Sequence, residues 1–272
     1  MKVLLVLKLT LALLFNSLAA MAQKSDTIQI TSEHVNAKEL REGTHRYLVY
    51  AKMKKDGNRI LTQFWTRTIS RTSYNGVSAI EINQEWEDKD SVIHTVKSIC
   101  SAKTLQPFYH KSWWKVQAKN NSPLKTVTET SVDFLNRTIV YNGEELSDSD
   151  TVKRLKMIWN SYKSSQDKFF LNWHLDLETF PLLPYKDGAV FSIPFYDPGT
   201  PSGLQNVIYT VKGSDKLIGY DDQKIDCWLL VHKKSGNKEV FWISKKTREV
   251  LKLEQEINGR FYRYKIKMGF SI

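Results

Sequence analysis

The chain has 272 residues, 41% hydrophobic and 12% aromatic, with 40 Lys+Arg against 29 Asp+Glu and a net charge of +11. That apolar supply excludes a disordered chain, while 12 Gly and 7 Pro exclude a collagen-like one. Two cysteines exclude a disulfide-rich scaffold and a cysteine-only zinc site.

At the start of the chain, Lys2 precedes an apolar stretch over residues 3–7 and 9–15, interrupted only by Lys8 and Thr10. Ala20-Met21-Ala22 places small residues at the −1 and −3 positions of a cleavage site before Gln23, the pattern of a secretory signal peptide. The apolar run falls short of the roughly 20 residues of a spanning helix, and no later stretch approaches that length. The expectation is an exported protein, periplasmic or secreted, that is not an integral helical membrane protein. Cleavage leaves 250 residues and takes away Lys2 and Lys8, for a charge of +9. In that compartment a basic chain suits anionic lipid headgroups, acidic glycans or an acidic envelope protein better than nucleic acid.

After a polar lead-in over residues 23–43, strand signals dominate. Tyr47, Val49, Ala51 and Met53 alternate with Arg46, Lys52 and Lys54, and the Asp56-Gly57 turn brings back a strand over 60–69. Further strands are predicted at 76–87, 91–101, 104–118, 123–130 and 132–141, joined by short turns that imply an antiparallel meander. The period then changes. Ser147-Asp148-Ser149-Asp150 offers N-caps, and Val152, Leu155, Ile158, Trp159 and Tyr162 fall at helical spacing. A second helix is predicted over 166–178, ended by Pro181 and Pro184.

Strands return at 188–195, 205–212, 216–220, 224–233, 238–244, 247–257 and 260–270. In the last, Tyr262, Tyr264, Ile266, Met268 and Phe270 share one face. Arg263, Lys265 and Lys267 share the other, read as a basic ridge outside the sheet. The expected fold is mainly β, a curved antiparallel sheet or open barrel wrapping one or two central helices. Residues 23–272 read as one domain: an N-terminal meander (44–141), a helical connector (147–180) and a C-terminal meander (186–272).

No catalytic signature is present. The six histidines (34, 45, 94, 110, 174 and 232) show no H-x-H or H-E-x-x-H spacing. A nucleophile elbow and the glycine-rich phosphate loops are absent. Neither a metal nor a cofactor is expected. The acids at Glu85-Trp86-Glu87-Asp88 and Asp221-Asp222 sit beside turns, where acidic residues favour turn formation. Trp113 and Trp114 are consecutive on a strand and must point to opposite faces. With Tyr109 and Lys111 on the Trp113 side, that face makes an aromatic platform with basic edges, suited to an acyl chain with an anionic head or to a stacked sugar. The segment from Pro194 to Gly203 holds three of the seven prolines and reads either as a solvated connection or as a lid; Tyr196 in it joins Trp113, Trp114 and Tyr109 as a candidate ligand contact. Cys100 and Cys227 are a candidate disulfide in an oxidising compartment, or two buried free thiols.

One resemblance extends over residues 110–270. It rests on the run His174-Leu175-Asp176-Leu177-Glu178-Thr179-Phe180, then Leu183-Pro184 and Phe195-Tyr196-Asp197-Pro198-Gly199. It continues in Cys227-Trp228-Leu229-Leu230, Phe241-Trp242-Ile243-Ser244-Lys245-Lys246-Thr247 and Val250-Leu251-Lys252. This pattern resembles exported domain-of-unknown-function families of Gram-negative bacteria, the Bacteroidetes-type ones above all. Those families supply no catalytic residues. Some are similar in shape to periplasmic lipoprotein carriers, whose curved sheet shelters an acyl chain, so the resemblance implies an aromatic concave binding face. The expected function is non-enzymatic binding of a hydrophobic or amphipathic cell-envelope ligand, lipid or lipoprotein. The alternatives are an envelope interaction module without a cavity, and a glycan-acting enzyme, which requires two carboxylates converging in a cleft.

Overall fold

The structure is a computed structural model and describes residues 26–89, 91–116, 126–219 and 222–269. The expected signal peptide, Phe270 and Asp221 lie outside these residues. Sixteen strands form one sheet. The first half comprises β1 (Thr27–Gln29), β2 (Gly43–Lys52), β3 (Ile60–Tyr74), β4 (Val77–Glu87), β5 (Val92–Ser101), β6 (Pro107–Val116), β7 (Thr126–Asp133), β8 (Thr138–Tyr141) and β9 (Glu144–Glu145). Helix α1 (Lys153–Ser165) follows, then β10 (Leu171–Asn172) and a train of short helical turns, Trp173–Leu175, Asp176–Thr179 and Phe180–Leu182. The second half is β11 (Val190–Tyr196), β12 (Gln205–Ile218), β13 (Lys224–Lys234), β14 (Asn237–Ser244), β15 (Val250–Ile257) and β16 (Phe261–Met268).

The two meanders are one surface. β11 to β16 run in order, β16 pairs antiparallel with β2, and β2 to β9 complete the order. The sheet is mostly antiparallel, curved and unclosed, as the alternation and short turns predict. Three elements differ from expectation. β1 is too short to announce itself in a polar lead-in, yet it pairs in parallel with the edge of β11, Ile28 opposite Phe191. β12 is a single strand through 205–218 with an irregularity between Val211 and Ser214. The second helix is instead β10 followed by the helical turns, whose Leu175, Leu177, Phe180 and Leu182 fill the interior of the curve. α1 is therefore not central. Its Ile158 and Tyr162 pack with Val132, Ile139 and Leu146 over the β7–β9 end. Asp148 and Asp150 do not cap it: the residue before its first turn is Val152. Asp148 instead bonds Trp159 and Lys163.

The largest correction concerns β16. Its basic residues face inward, with Lys265 5% and Lys267 4% exposed, whereas Met268 is 45% exposed on the opposite face. The aromatic face looks outward, where Tyr264 stacks on Tyr50 of β2. Charge turns inward because partners wait there: Asp176 for Lys265 at 2.6 Å and Glu249 for Lys267 at 2.8 Å.

Candidate functional site

Strand parity brings an unusual set of side chains to the inner face. Trp65 and Trp86 are directly opposed on β3 and β4 and stack with ring centres 3.7 Å apart. Lys265 lies over the Trp65 ring at 4.7 Å, a cation–π contact that offsets part of its desolvation. Trp86 meets Trp114 edge-on, and Trp114 stacks on His94 at 3.4 Å. A continuous column of rings thus crosses β3, β4, β5 and β6.

Beside the column lies a buried ion network. Arg67, 1% exposed, donates to Glu178 at 2.9 Å, to Gln84 at 2.7 Å and to the His174 carbonyl at 2.6 Å. Gln84 also donates to that carbonyl, so two side chains of the sheet hold the turn at His174 in place. Asp176 receives Lys265 and lies 3.5 Å from Arg67. Two cations thus meet two carboxylates, which makes burial of the set tolerable. Burial pushes the Lys265 ammonium down to about 8, although Asp176 works against it. Against the upward push of burial, Lys265 and Arg67 hold Asp176 below the usual carboxylate range. For Glu178 burial prevails over Arg67 and raises the carboxyl.

Three histidines continue the polar interior. His94 donates from Nδ1 to the Trp113 carbonyl at 2.8 Å, while Asn172 donates to His110 at 2.9 Å. His174 faces Asp197 at 3.1 Å. Burial, helped by neighbouring His174, drives His94 down to about 3 and His110 well below its ordinary value.

Network and column enclose a cavity of about 160 Å³. Its apolar wall includes Trp65, Trp86, Trp173, Phe180, Phe195 and Phe241. Its polar wall holds Arg67, His174, Asp176, Asp197, Tyr209, Glu239, Arg263 and Lys265. It is not sealed, because Trp173 is 40% exposed. Glu239 is engaged by Gln255 at 2.7 Å and by Tyr209 at 3.3 Å. Arg263 differs from Arg67 and Lys265 in that no hydrogen bond or ion pair holds its guanidinium among the described residues; its Nε, like that of Arg67, is shielded from solvent and has no hydrogen-bond partner. Among the described residues, no group of three or more His, Cys, Asp or Glu side chains is placed to hold a metal ion.

The four aromatic candidates are not brought together. Trp114 joins the inner column. Trp113 lies on the outer face, as parity requires, in an open groove of about 610 Å³ with Thr66, Thr68, Asn83, Lys111 and Glu129. Tyr109 is on the same outer face, against Tyr74. Tyr196 is fully buried against Phe134 and Phe170. The segment from Pro194 to Gly203 runs from β11 into a connection to β12 that is packed against the molecule over most of its length, with Pro201 and Ser202 exposed. Pro194–Tyr196 ends β11, Gly199 packs on Thr130 of β7, and the Gly203 amide donates to Ser161 of α1. Cys100 and Cys227 are both buried free thiols rather than a disulfide. Cys100 belongs to the main core and Cys227 to a separate cluster with Ile225 and Leu251, so the sheet keeps them apart.

Sequence reading alone passed over Arg67, Gln84, Asp197 and Glu239. The signal was present in polar residues occupying inward positions of otherwise apolar strands, Arg67 between Trp65 and Ile69 and Gln84 between Ile82 and Trp86.

Comparison with known proteins adds three findings. A family model described as a protein of unknown function, DUF3108, matches residues 46–267. The crystal structure of a beta-barrel-like protein of domain of unknown function DUF1849 from Brucella abortus is similar at 7% identity and a TM-score of 0.41, covering 86% of this chain and 99% of that one. No curated protein matches.

Proposed function

This chain belongs to the DUF3108 family of proteins of unknown function, and we propose that it binds an amphipathic ligand whose anionic end enters the central cavity. The observation that carries this reading is the division of the cavity wall. Rings of Trp65, Trp86, Trp173, Phe180 and Phe195 form one side, and an unpartnered Arg263 sits on the other. An apolar pocket with a few convergent polar groups is what a small-molecule site requires. A shielded guanidinium nitrogen left without a protein acceptor costs free energy that an incoming anion would recover. At about 160 Å³ the cavity is smaller than the roughly 300–1,000 Å³ of drug-sized pockets. It would take the head and first carbons of an amphiphile, with the rest leaving past Trp173. Export, which residues 1–22 imply, would place the protein among cell-envelope lipids and lipoproteins.

The test is titration with dodecanoate and with dodecyl phosphate, read by tryptophan fluorescence, since Trp65, Trp86 and Trp173 line the cavity. Saturable quenching is expected, weakened about tenfold or more in Arg263→Met, the loss appropriate to one charged hydrogen bond. Absence of saturable quenching, together with no lipid in organic extracts of the natively purified protein, would discard the reading.

Convergence of Asp176, Asp197 and Glu239 on one cavity favours a single second reading, a glycan-cleaving enzyme, for which paired carboxylates are the requirement. All three are engaged, by Lys265, His174 and Gln255 respectively, which ranks it below ligand binding. Hydrolysis of cell-wall fragments that disappears in Asp197→Asn would reverse that order.

A further inference from the structure

Sheet order sets three hairpins side by side at one end of the molecule: β13–β14, β15–β16 and β2–β3. Their turns and flanking residues expose seven cations, Lys54, Lys55 and Arg59 on one, Lys233, Lys234 and Lys238 on the second, Arg260 on the third. None of the seven forms a salt bridge among the described residues, and the same turns hold only Asp56 and Glu256 as acids. Between the β13–β14 and β15–β16 turns lies an open basin of about 430 Å³, lined by Lys233, Lys234, Lys238, Asn237 and Asn258, with Glu256 its one carboxylate. The β2–β3 hairpin adds aliphatic side chains that face water: Met53 is 59% and Leu61 65% exposed. Leu61 is held there in a left-handed conformation, φ 51°, which a branched apolar residue adopts at a cost.

We propose that this rim docks the protein on a bilayer surface rich in anionic phospholipid, with Met53 and Leu61 entering the headgroup boundary and the lysine basin taking lipid phosphates. Positive charge alone would equally attract a polyanion in solution. Aliphatic tips standing among cations are the combination that a charged lipid interface rewards, by apolar burial and surface potential together. The rim also adjoins the cavity: Glu239 and Arg263 are each two residues in from the rim ends of β14 and β16. Docking does not depend on the cavity being a binding site.

Co-sedimentation of the purified chain with phosphatidylcholine vesicles, with and without phosphatidylglycerol, tests the proposal. Binding is expected only with phosphatidylglycerol and should weaken as salt rises. Replacing Lys233, Lys234 and Lys238 together by Gln should lower partitioning about a hundredfold, at roughly fivefold per lost charge. Met53→Ser combined with Leu61→Asn should lower it about tenfold or more; both substitutions are on the surface, and Asn tolerates the backbone at position 61. Arg263→Met leaves the rim intact and should bind vesicles as the wild type does, so failure of the cavity reading and failure of docking are told apart. No sedimentation with phosphatidylglycerol vesicles at low salt overturns the proposal. So does binding to soluble polyglutamate that matches vesicle binding and ignores Met53 and Leu61, which would assign the rim to an acidic protein.

Discussion

A histidine buried without a counter-charge stays neutral because ionising it would place an unsolvated cation in the core. His94 and His110 are both wholly buried, and each has an Nε2 without a partner. Burial holds His94 near 3 and His110 well below its ordinary value. In the unfolded chain both would titrate near 6.5. Below pH 6.5 the unfolded state binds more protons, so the stability both contribute is present above pH 6.5 and is lost as pH falls, toward about 3 for His94. For His94 the expected loss between pH 7 and pH 5 is about 2 kcal/mol, measured as urea unfolding free energy, and His110 acts in the same direction. His94→Phe, which keeps the ring on Trp114, should remove the His94 share of that pH dependence; an unchanged slope would refute the assignment. At this scale the opposed faces of Trp113 and Trp114 were legible in the sequence, because parity is local. The ion network was not: Arg67 meets Glu178 across 111 positions, and no local pattern encodes a partner so remote.

Elements were legible wherever periodicity ran long, as in β16, yet alternation carries no sign. It states that Arg263, Lys265 and Lys267 share a face and leaves open which face is inside. The apolar-inward rule chose wrongly because Asp176 and Glu249, which neutralise the lysines, are contributed by other segments. Short elements failed for a different reason. β1 has three residues, and its place is decided by the free edge of β11 rather than by its own propensity. The loop after β11 shows how such contacts bring the two arms of the sheet together. Gly199, at φ 80°, lies so close to Thr130 of β7 that a Cβ there would collide with the threonine side chain. Gly199→Ala should therefore cost at least about 1–2 kcal/mol, the left-handed penalty alone, and pry the loop from β7. Hydrogen exchange should accelerate in β7 and α1 while β13–β15 stay protected. Uniform acceleration, or none, would show that the loop is not a seam.

Across the whole molecule, the two halves of the chain are joined more intimately than a reading as two consecutive meanders suggests. The last strand pairs with the first long one through seven residue pairs from Tyr262↔Lys52 to Met268↔Arg46. The buried charges draw on three separate segments: Arg67 from β3, Asp176 and Glu178 from the helical turns, and Lys265 from β16. Withdrawing any one segment strands a charge in the interior, at a cost of about 3–5 kcal/mol. Edges behave alike, since β11 is covered on its outer side by β1 and β10, which come from outside the second meander. Residues 26–269 should accordingly unfold as a single cooperative unit. Scanning calorimetry is expected to give one transition with equal calorimetric and van't Hoff enthalpies. Chain cut at the exposed residues 167–168 should yield two pieces that show no cooperative transition apart and regain one when mixed. Two resolved transitions in the intact protein, or independent melting of either piece, would mean that the β16–β2 ladder and the Arg67 network join bodies already stable alone.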